Sequence, residues 1–250
     1  MKTLRISLLG ADGRMGEAIS AAVQNNTDLT IVARCDKGGA LDQTISAGDI
    51  AIDFSSIEAT KDICKACLRS KTPLVIGTTG HSTEQRKFIE TAAKSVPIVF
   101  APNFSVGVNT LFWLTRKTAE LLGPDFDLEI VEMHHRLKKD APSGTAQKLA
   151  EILSEVRKLD VQKDVMHGRH GMIGERPAEE IGMHSLRGGD AVGEHEVIFA
   201  GPGEQLALTH RASSRETFAR GALRATRWVV GKPPGLYSME DVLGLPSQGS

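Results

Sequence analysis

The chain has 250 residues, of which 40% are hydrophobic and 24% charged, and its 30 lysines and arginines nearly balance 31 aspartates and glutamates. These values exclude a disordered chain, allow two compact units, and argue against a nucleic-acid-binding or polybasic membrane surface. No apolar run reaches the roughly 18 residues of a bilayer span, and the one ending at Gly10 is too short for a secretory signal. Three cysteines are too few for a disulfide scaffold, so a cytoplasmic protein is expected.

The first hundred residues are predicted to alternate between strands and helices. Short apolar runs predict strands at 3–9, 29–33, 50–54, 74–76 and 98–100. Helical spacing predicts helices around 15–23, 57–69 and 82–94. This alternation favours a parallel sheet with helices on both faces. The segment 37–49 is short and contains glycine, which leaves open whether it forms a full crossover helix.

The pattern changes after about residue 103. Helices are predicted at 108–122, 144–158 and 217–230, and strands at 128–133, 182–187, 194–200 and 205–210. Strands without helices between them favour a mixed or antiparallel sheet, and therefore a second domain. The segment after the last helix is expected to return to the first domain.

A glycine-rich segment joins the first strand to the first helix. It consists of Gly10, Ala11, Asp12, Gly13, Arg14, Met15 and Gly16. Glycines let backbone N–H groups approach a pyrophosphate at the positive end of a helix. Asp36 follows at the end of the second strand, where an acidic side chain accepts hydrogen bonds from an adenosine ribose. The segment predicts a dinucleotide site, and a purely structural turn is the alternative.

The choice between NADH and NADPH depends on charges near that ribose. Asp36 repels a 2′-phosphate, whereas Lys37 and Arg14 attract one. Because the two effects are of similar size, both cofactors are expected, with NADH modestly favoured.

Two further loops follow the fourth and fifth strands, where ligands of open α/β sheets bind. They contribute Gly77, Thr78 and Thr79, and Ala101, Pro102, Asn103 and Phe104. Each loop alone would be ordinary turn chemistry, but three loops on one sheet edge predict a cofactor crevice.

The segment from Glu132 to Ala146 carries the densest chemistry. Ser143 is a natural N-cap for a helix, and the N–H groups of Gly144 and Thr145 would then face a carboxylate or phosphate. Two histidines and Lys138 precede this helix, which adds titratable groups to an anion pocket. A solvated basic loop before a capped helix is the alternative.

The two histidines also set a geometric condition. Successive side chains of a strand point to opposite faces. His134 and His135 can therefore share one pocket only if the preceding strand ends by about Met133.

Cys64 and Cys67 form a CxxC pair within a predicted helix. No second cysteine pair and no two histidines spaced as His-x-x-x-His complete a zinc set, so we interpret them as small buried side chains and expect no metal.

These motifs resemble those of the dihydrodipicolinate reductase family of lysine and diaminopimelate biosynthesis. The resemblance covers nearly the whole chain and rests on the glycine loop and on segments 77–80, 103–107, 134–136, 140–145, 168–169, 174–176, 192–195, 210–215 and 235–237. The block from His134 to Thr145 is its most specific part.

The resemblance implies an oxidoreductase that uses NADH or NADPH to reduce 4-hydroxy-tetrahydrodipicolinate to tetrahydrodipicolinate, with loss of water. It implies catalytic roles for His134 and Lys138. His135, Ser143, Gly144 and Thr145 would bind the dicarboxylate substrate. It also implies a homotetramer built through the sheet of the second domain. Leu137 stands where relatives often have histidine, which we expect to affect affinity and not the reaction.

The expected architecture is a Rossmann-like dinucleotide-binding domain over 1–104 and 216–250. An α+β domain with a mixed open sheet, for substrate binding and oligomerisation, is expected over 105–215. The alternatives are another NAD(P)-dependent dehydrogenase of an amino-acid pathway and a non-catalytic nucleotide-sensing regulator. An aldehyde-oxidising dehydrogenase would need a nucleophilic cysteine, and a regulator would have no use for His134 and Lys138.

Overall fold

A computed structural model describes residues 3–246 of the chain. The chain forms two compact units: the first comprises the residues up to Val106 and those from Arg215 onward, and the second is Gly107–Ser214. The ends of the predicted first domain, at 1–2 and 247–250, lie outside the described residues.

The first unit is built on a six-stranded, wholly parallel sheet with the order β11-β5-β4-β3-β1-β2. Its strands are β1 (Leu4–Leu9), β2 (Leu29–Cys35), β3 (Ile50–Asp53), β4 (Leu74–Ile76), β5 (Pro97–Phe100) and β11 (Gly235–Tyr237). Its helices are α1 (Arg14–Gln24), α2 (Leu41–Ala47), α3 (Thr60–Ser70), α4 (Thr83–Ala93), α7 (Glu216–Val229) and α8 (Met239–Leu243). The segment after α7 therefore returns to this sheet, as predicted.

Helices cover both faces of this sheet because alternate strand residues enter two separate cores. Ile50 and Ile52 pack with residues of α1 and α7, whereas Ala51 between them packs with residues of α3 and α4. A strand that is buried on both faces is a continuous apolar run, which is why β3 and β4 were predictable. The predicted Rossmann-like class is confirmed.

The second unit contains a mixed five-stranded sheet with the order β10-β9-β6-β8-β7. Its elements are α5 (Val106–Leu122), which starts at the unit boundary, β6 (Asp127–His134), α6 (Gly144–Arg157), β7 (Val165–His167), β8 (Ile181–Arg187), β9 (Gly193–Gly201) and β10 (Glu204–Ala212). β6 is parallel to β8 and antiparallel to β9. Leu128 and Ile130 of β6 pack against α5 and α6. Glu132 and His134 continue the same buried side of the strand.

The structure answers the question left open for segment 37–49 and contains the short elements β7, β11 and α8, which were not predicted. The segment 37–49 contains a seven-residue helix, α2, which is anchored by the buried side chains of Thr44 and Ile45. The strand β7 was not predicted, because its three residues are half-buried or exposed and lie at the sheet edge. Each of these elements is too short to produce a periodic pattern.

Candidate active site

A cavity of about 700 Å³ opens at the carboxyl ends of the first strands of the first unit. Its lining includes Gly10 and Gly13 of the glycine loop, and Asp36 and Lys37 after β2. Gly13 is the N-cap of α1 and has no side chain, so no capping side chain occupies the backbone N–H groups at this helix N-terminus. These residues fit the adenosine and phosphate portion of a dinucleotide.

The glycine loop is held close to its surroundings. The backbone N–H of Asp12 donates to Oδ1 of Asp36 at 3.3 Å, which ties the loop to the end of β2. Gly16 lies so close to the carbonyl groups of Gly10 and Ala11 that a Cβ atom there would overlap them. The third glycine therefore permits tight packing of helix on loop.

The other predicted cofactor residues do not line this cavity. They are Ala11, Asp12, Arg14, Met15, Gly77, Thr78, Thr79, Ala101, Pro102, Asn103 and Phe104. Ala11, Ala101 and Phe104 are buried in the core, and Thr78 is buried as well. Asn103 caps a turn, where its Oδ1 accepts from the N–H of Ser105 at 2.8 Å. Arg14, Thr79 and Pro102 are exposed.

In the second unit, Glu132 is fully buried and surrounded by four hydrogen-bond donors. Its Oε2 accepts from Nδ1 of His134 at 2.5 Å and from Nη1 of Arg187 at 2.9 Å. Its Oε1 accepts from Nη2 of Arg187 at 2.8 Å and from the N–H of Ser143 at 3.2 Å. Burial raises the pKa of Glu132, but the hydrogen bonds from His134, Arg187 and Ser185 outweigh burial and bring this pKa to about 2. Glu132 is therefore ionised at neutral pH.

His134 also packs against a second buried histidine. The rings of His134 and His195 meet edge to face, with centroids 5.2 Å apart. Nε2 of His195 lies 3.0 Å from the hydroxyl of Ser143, which also caps α6 by accepting from the N–H of Ala146 at 3.2 Å. Burial and, after it, the neighbouring His134 lower the pKa of His195 to about 3. His195 is therefore neutral under physiological conditions.

Lys138 is joined to this cluster through Arg187. Its Nζ donates to both carboxylate oxygens of Asp140 at 2.9 Å. Nη2 of Arg187 donates to the backbone carbonyl of Asp140 at 2.8 Å while it also binds Glu132. The hydrogen bond from Lys138 lowers the pKa of Asp140. A continuous chain of hydrogen bonds thus links His134 to Lys138.

The strand β6 ends at His134, one residue beyond the limit set for a pocket shared by His134 and His135. The strand extends because the carbonyl of His134 still accepts from the N–H of Gly188, beyond the end of β8. The N–H of His135 donates to the carbonyl of Ala191 at 2.8 Å. Nδ1 of His135 is buried and has no hydrogen-bond partner within residues 3–246.

The helix α6 begins as predicted. Ser143 is its N-cap and Gly144 its first residue. A Cβ atom on Gly144 would meet no atom within 4 Å, so the space beside this first helical residue is open. Thr145, the second residue, is half-buried.

Sequence reasoning assigned no role to Glu132, Arg187 or His195. The alternation of Glu132 with His134 on a strand could have indicated two polar side chains on one buried face. Arg187 lies 55 residues from Glu132, and His195 lies 52 residues from Ser143. Their pairings depend on the order of strands in the sheet.

Cys64 and Cys67 are small buried side chains, as predicted. They are unpaired and lie within α3. Burial raises the pKa of Cys64 to about 12, so its thiol is inert as a nucleophile at neutral pH.

A Rossmann-like sheet with a glycine loop, combined with a unit that carries a buried acid–base cluster, is typical of pyridine-nucleotide-dependent oxidoreductases. Two family models match this chain: "Dihydrodipicolinate reductase, N-terminus" over residues 4–104 and "Dihydrodipicolinate reductase, C-terminus" over 107–243. The chain belongs to the dihydrodipicolinate reductase family.

Individual relatives agree with this assignment. A 4-hydroxy-tetrahydrodipicolinate reductase of Akkermansia muciniphila is 55% identical over 97% of this chain and 98% of its own. One of Hahella chejuensis is 43% identical over 96% and 99%. The solved structure of a dipicolinate-bound dihydrodipicolinate reductase from Paenisporosarcina sp. TG-14 is 25% identical, with a TM-score of 0.77 over 94% of this chain and 97% of that one. Nothing in these similarities favours a different dehydrogenase or a regulator.

Within residues 3–246, none of the helices combines the length and apolar character needed to cross a membrane.

Proposed function

We propose that this protein reduces 4-hydroxy-tetrahydrodipicolinate to tetrahydrodipicolinate, with loss of water, and uses NADH or NADPH as the reductant. The observation that carries the proposal is the hydrogen-bonded chain from His134 to Lys138, in a protein whose relatives are named for this reaction. When bound, the reduced nicotinamide supplies a hydride. Reduction also consumes a proton, and His134 and Lys138 are the proposed proton donors.

The substrate is a dicarboxylate, and the proposed residues suit two negative charges. The N-terminus of α6, at Gly144 and Thr145, is a site for one carboxylate because its N–H groups and helix dipole favour an anion. Ser143 and His135 complete the proposed substrate set. Because β6 continues through His134, His135 would contact the substrate from the turn after the strand and not from the strand face that carries His134. The Paenisporosarcina relative was solved with dipicolinate, which supports a dicarboxylate in this family.

The proposed cofactor set lies in the first unit. Backbone N–H groups from Gly10 to Met15 would hold the pyrophosphate, and Asp36 with Lys37 would face the ribose. The loops Gly77–Thr79 and Ala101–Phe104 are proposed to hold the remainder of the dinucleotide. Residues 1–104 and 216–250 thus form the proposed dinucleotide-binding domain, and 105–215 the proposed substrate-binding and oligomerisation domain.

We further propose a homotetramer. The face of the second sheet that points away from α5 and α6 includes the apolar side chains of Val131, Met133 and Leu186, and Leu186 is 49% exposed. Partly exposed apolar side chains on a sheet face that also carries Glu129 and Glu194 support self-association through a mixed apolar and charged surface. Light scattering should give four times the 26.9 kDa chain mass, and Met133→Glu should reduce it.

An assay with freshly generated substrate tests the reaction. The purified protein should oxidise NADH or NADPH, seen as loss of absorbance at the nicotinamide band, only when the substrate is present. His134→Gln is the matched negative control, and Cys64→Ser, at a position with no proposed role, is the positive one. A homogeneous, folded protein without substrate-dependent oxidation would overturn the proposal.

A further inference from the structure

An ionised carboxylate on the buried side of a strand requires an explanation. Leu128 and Ile130 occupy the same side of β6 and belong to the apolar core. Glu132 follows them with no exposed surface. A buried charge costs several kcal/mol unless it is paired and hydrogen-bonded, and an apolar residue would fill this position more simply.

We propose that Glu132 is a positioning residue, which keeps the hydrogen of the neutral His134 ring on Nδ1 and so makes Nε2 the nitrogen that gives and regains the catalytic proton. We assign Arg187 the role of holding Glu132 ionised and of tying it to the loop of Lys138. The catalytic part of this inference rests on the function proposed above.

The position of the hydrogen follows from the chemistry of the pair. An ionised carboxylate accepts hydrogen bonds and cannot donate one. The 2.5 Å contact between Oε2 of Glu132 and Nδ1 of His134 therefore requires a hydrogen on Nδ1. In the neutral ring Nε2 then has the lone pair, and in the imidazolium it has the exchangeable proton. Carboxylate–histidine pairs fix ring orientation in the same way at other sites.

Arg187 extends this control to the second proposed proton donor. Its two terminal nitrogens bind the two oxygens of Glu132, a geometry that a guanidinium supplies and a lysine does not. Nη2 also holds the carbonyl of Asp140, whose carboxylate binds Lys138. One side chain of β8 thus fixes the ionised state of Glu132 and the position of the Lys138 loop.

A glutamine at position 132 would have nearly the same shape as Glu132, but one of its two terminal groups would donate hydrogen bonds and not accept them. Each oxygen of Glu132 accepts from two donors: His134 and Arg187 on one side, Ser143 and Arg187 on the other. The NH₂ group of a glutamine would face two donors in either orientation, but only His134 can change from donor to acceptor, by moving its ring hydrogen to Nε2. Glu132→Gln should therefore favour the orientation with NH₂ toward His134 and the hydrogen on Nε2, while it preserves the volume of the side chain.

Glu129 provides a matched control on the same strand. It points to the opposite face of β6, where it pairs with Arg169 at 2.6 Å and with Arg176 at 3.2 Å. Although burial raises its pKa, the hydrogen bond from Arg169 and those from His184 and Arg176 bring it to about 2, as for Glu132. Glu129→Gln therefore removes an ion-paired carboxylate from β6 without touching His134.

The test is ¹⁵N NMR of histidine-labelled protein without substrate, at a pH where the rings are neutral. The His134 signals are identified by their loss in His134→Gln. In the wild type and in Glu129→Gln, Nδ1 should be the protonated nitrogen. In Glu132→Gln, the signals should move to the Nε2–H form or to a mixture. We expect kcat to fall about 10–100-fold while KM changes less than about threefold, and Glu129→Gln should match the wild type.

Two results would overturn the inference: a wild-type His134 with its hydrogen on Nε2, or a folded Glu132→Gln protein with the wild-type His134 signals. The first needs only the wild type and the assignment variant His134→Gln, so it decides the question even if Glu132→Gln does not fold. The NMR measurement needs no turnover. A protein with Nδ1–H but without reductase activity would therefore refute the proposed function and leave the ring geometry intact.

Discussion

The carboxylate of Asp36 accepts a hydrogen bond from the backbone N–H of Asp12, so the residue that follows the second strand also holds the glycine loop. One oxygen of Asp36 is engaged inward, and Lys37 beside it is exposed on the same cavity. The negative charge of Asp36 and the positive charge of Lys37 at the proposed ribose site therefore differ in their contacts. Asp36 is hydrogen-bonded to the glycine loop, whereas Lys37 is exposed.

We expect this pair to produce dual cofactor use. Lys37→Ala should shift the ratio of kcat/KM values toward NADH, and Asp36→Ala should shift it toward NADPH, because each change removes one of two opposed charge effects. Steady-state kinetics with both cofactors in one low-salt buffer measure the ratio. A wild-type preference above about 10³, equivalent to roughly 4 kcal/mol, would mean that one charge alone decides.

His134→Gln should lower kcat about 10²–10⁴-fold, the usual contribution of a general acid. Binding of NADH, measured by fluorescence titration, should change little, because His134 belongs to the second unit and the proposed dinucleotide site to the first. Normal turnover in this variant would remove His134 from the mechanism.

The N-terminus of α6 is tested by the change in KM. Gly144→Pro deletes one N–H at the first helical position, which tolerates proline, and an added side chain there meets open space. Thr145→Ala deletes the neighbouring hydroxyl. Both variants should raise the KM for substrate about tenfold and leave that for NADH unchanged. If neither moves the substrate KM, the carboxylate binds elsewhere.

His195 should not titrate between pH 5 and 8. Its pKa of about 3 lies below the ordinary value of 6.5, so the neutral ring stabilises the fold above pH 6.5. That contribution is lost as the pH falls from 6.5 towards 3. The Cε1 proton shift of His195, followed by NMR, should be flat over the physiological range. A midpoint near 6.5 would show that this ring is exposed to water.

The contribution of Asp53 to the free energy of unfolding should depend on pH with the opposite sign to that of His195. It ends β3 with no exposed surface, and Oδ1 accepts from the N–H of Ser55 at 2.9 Å. Burial raises the pKa of Asp53 in the folded protein above its ordinary value of 3.8, although the bonds from Ser55 oppose this. The protonated form therefore stabilises the fold at low pH, and this stability is lost as the pH rises through the folded pKa.

Asp53→Asn should consequently gain stability relative to the wild type as the pH rises. Urea unfolding of both proteins at a series of pH values from 4 to 8 measures the difference in unfolding free energy. A difference that stays constant with pH would mean that Asp53 ionises as easily in the folded as in the unfolded chain.

Local signals predicted much of this molecule. The apolar runs of β3 and β4, and Ser143 before the periodic apolar residues of α6, lie within short stretches of sequence. The pairings of Glu132 with Arg187 and of Ser143 with His195 join different elements of the second unit. Their formation depends on β8 and β9 flanking β6 on either side, an order that no local pattern contains.

The route of the chain through the first unit has a consequence for synthesis on the ribosome. Ala222 and Leu223 of α7 complete the core beneath Ile6 and Ile52, and β11 supplies the edge strand beside β5. Because translation proceeds from the N-terminus, strands β1 to β5 emerge well before the segments that cover and extend them. Gly107–Ser214 is contiguous and is complete earlier. A chain that is truncated at residue 214 and released from the ribosome should therefore keep Gly107–Ser214 resistant to protease while the preceding residues are still cleaved.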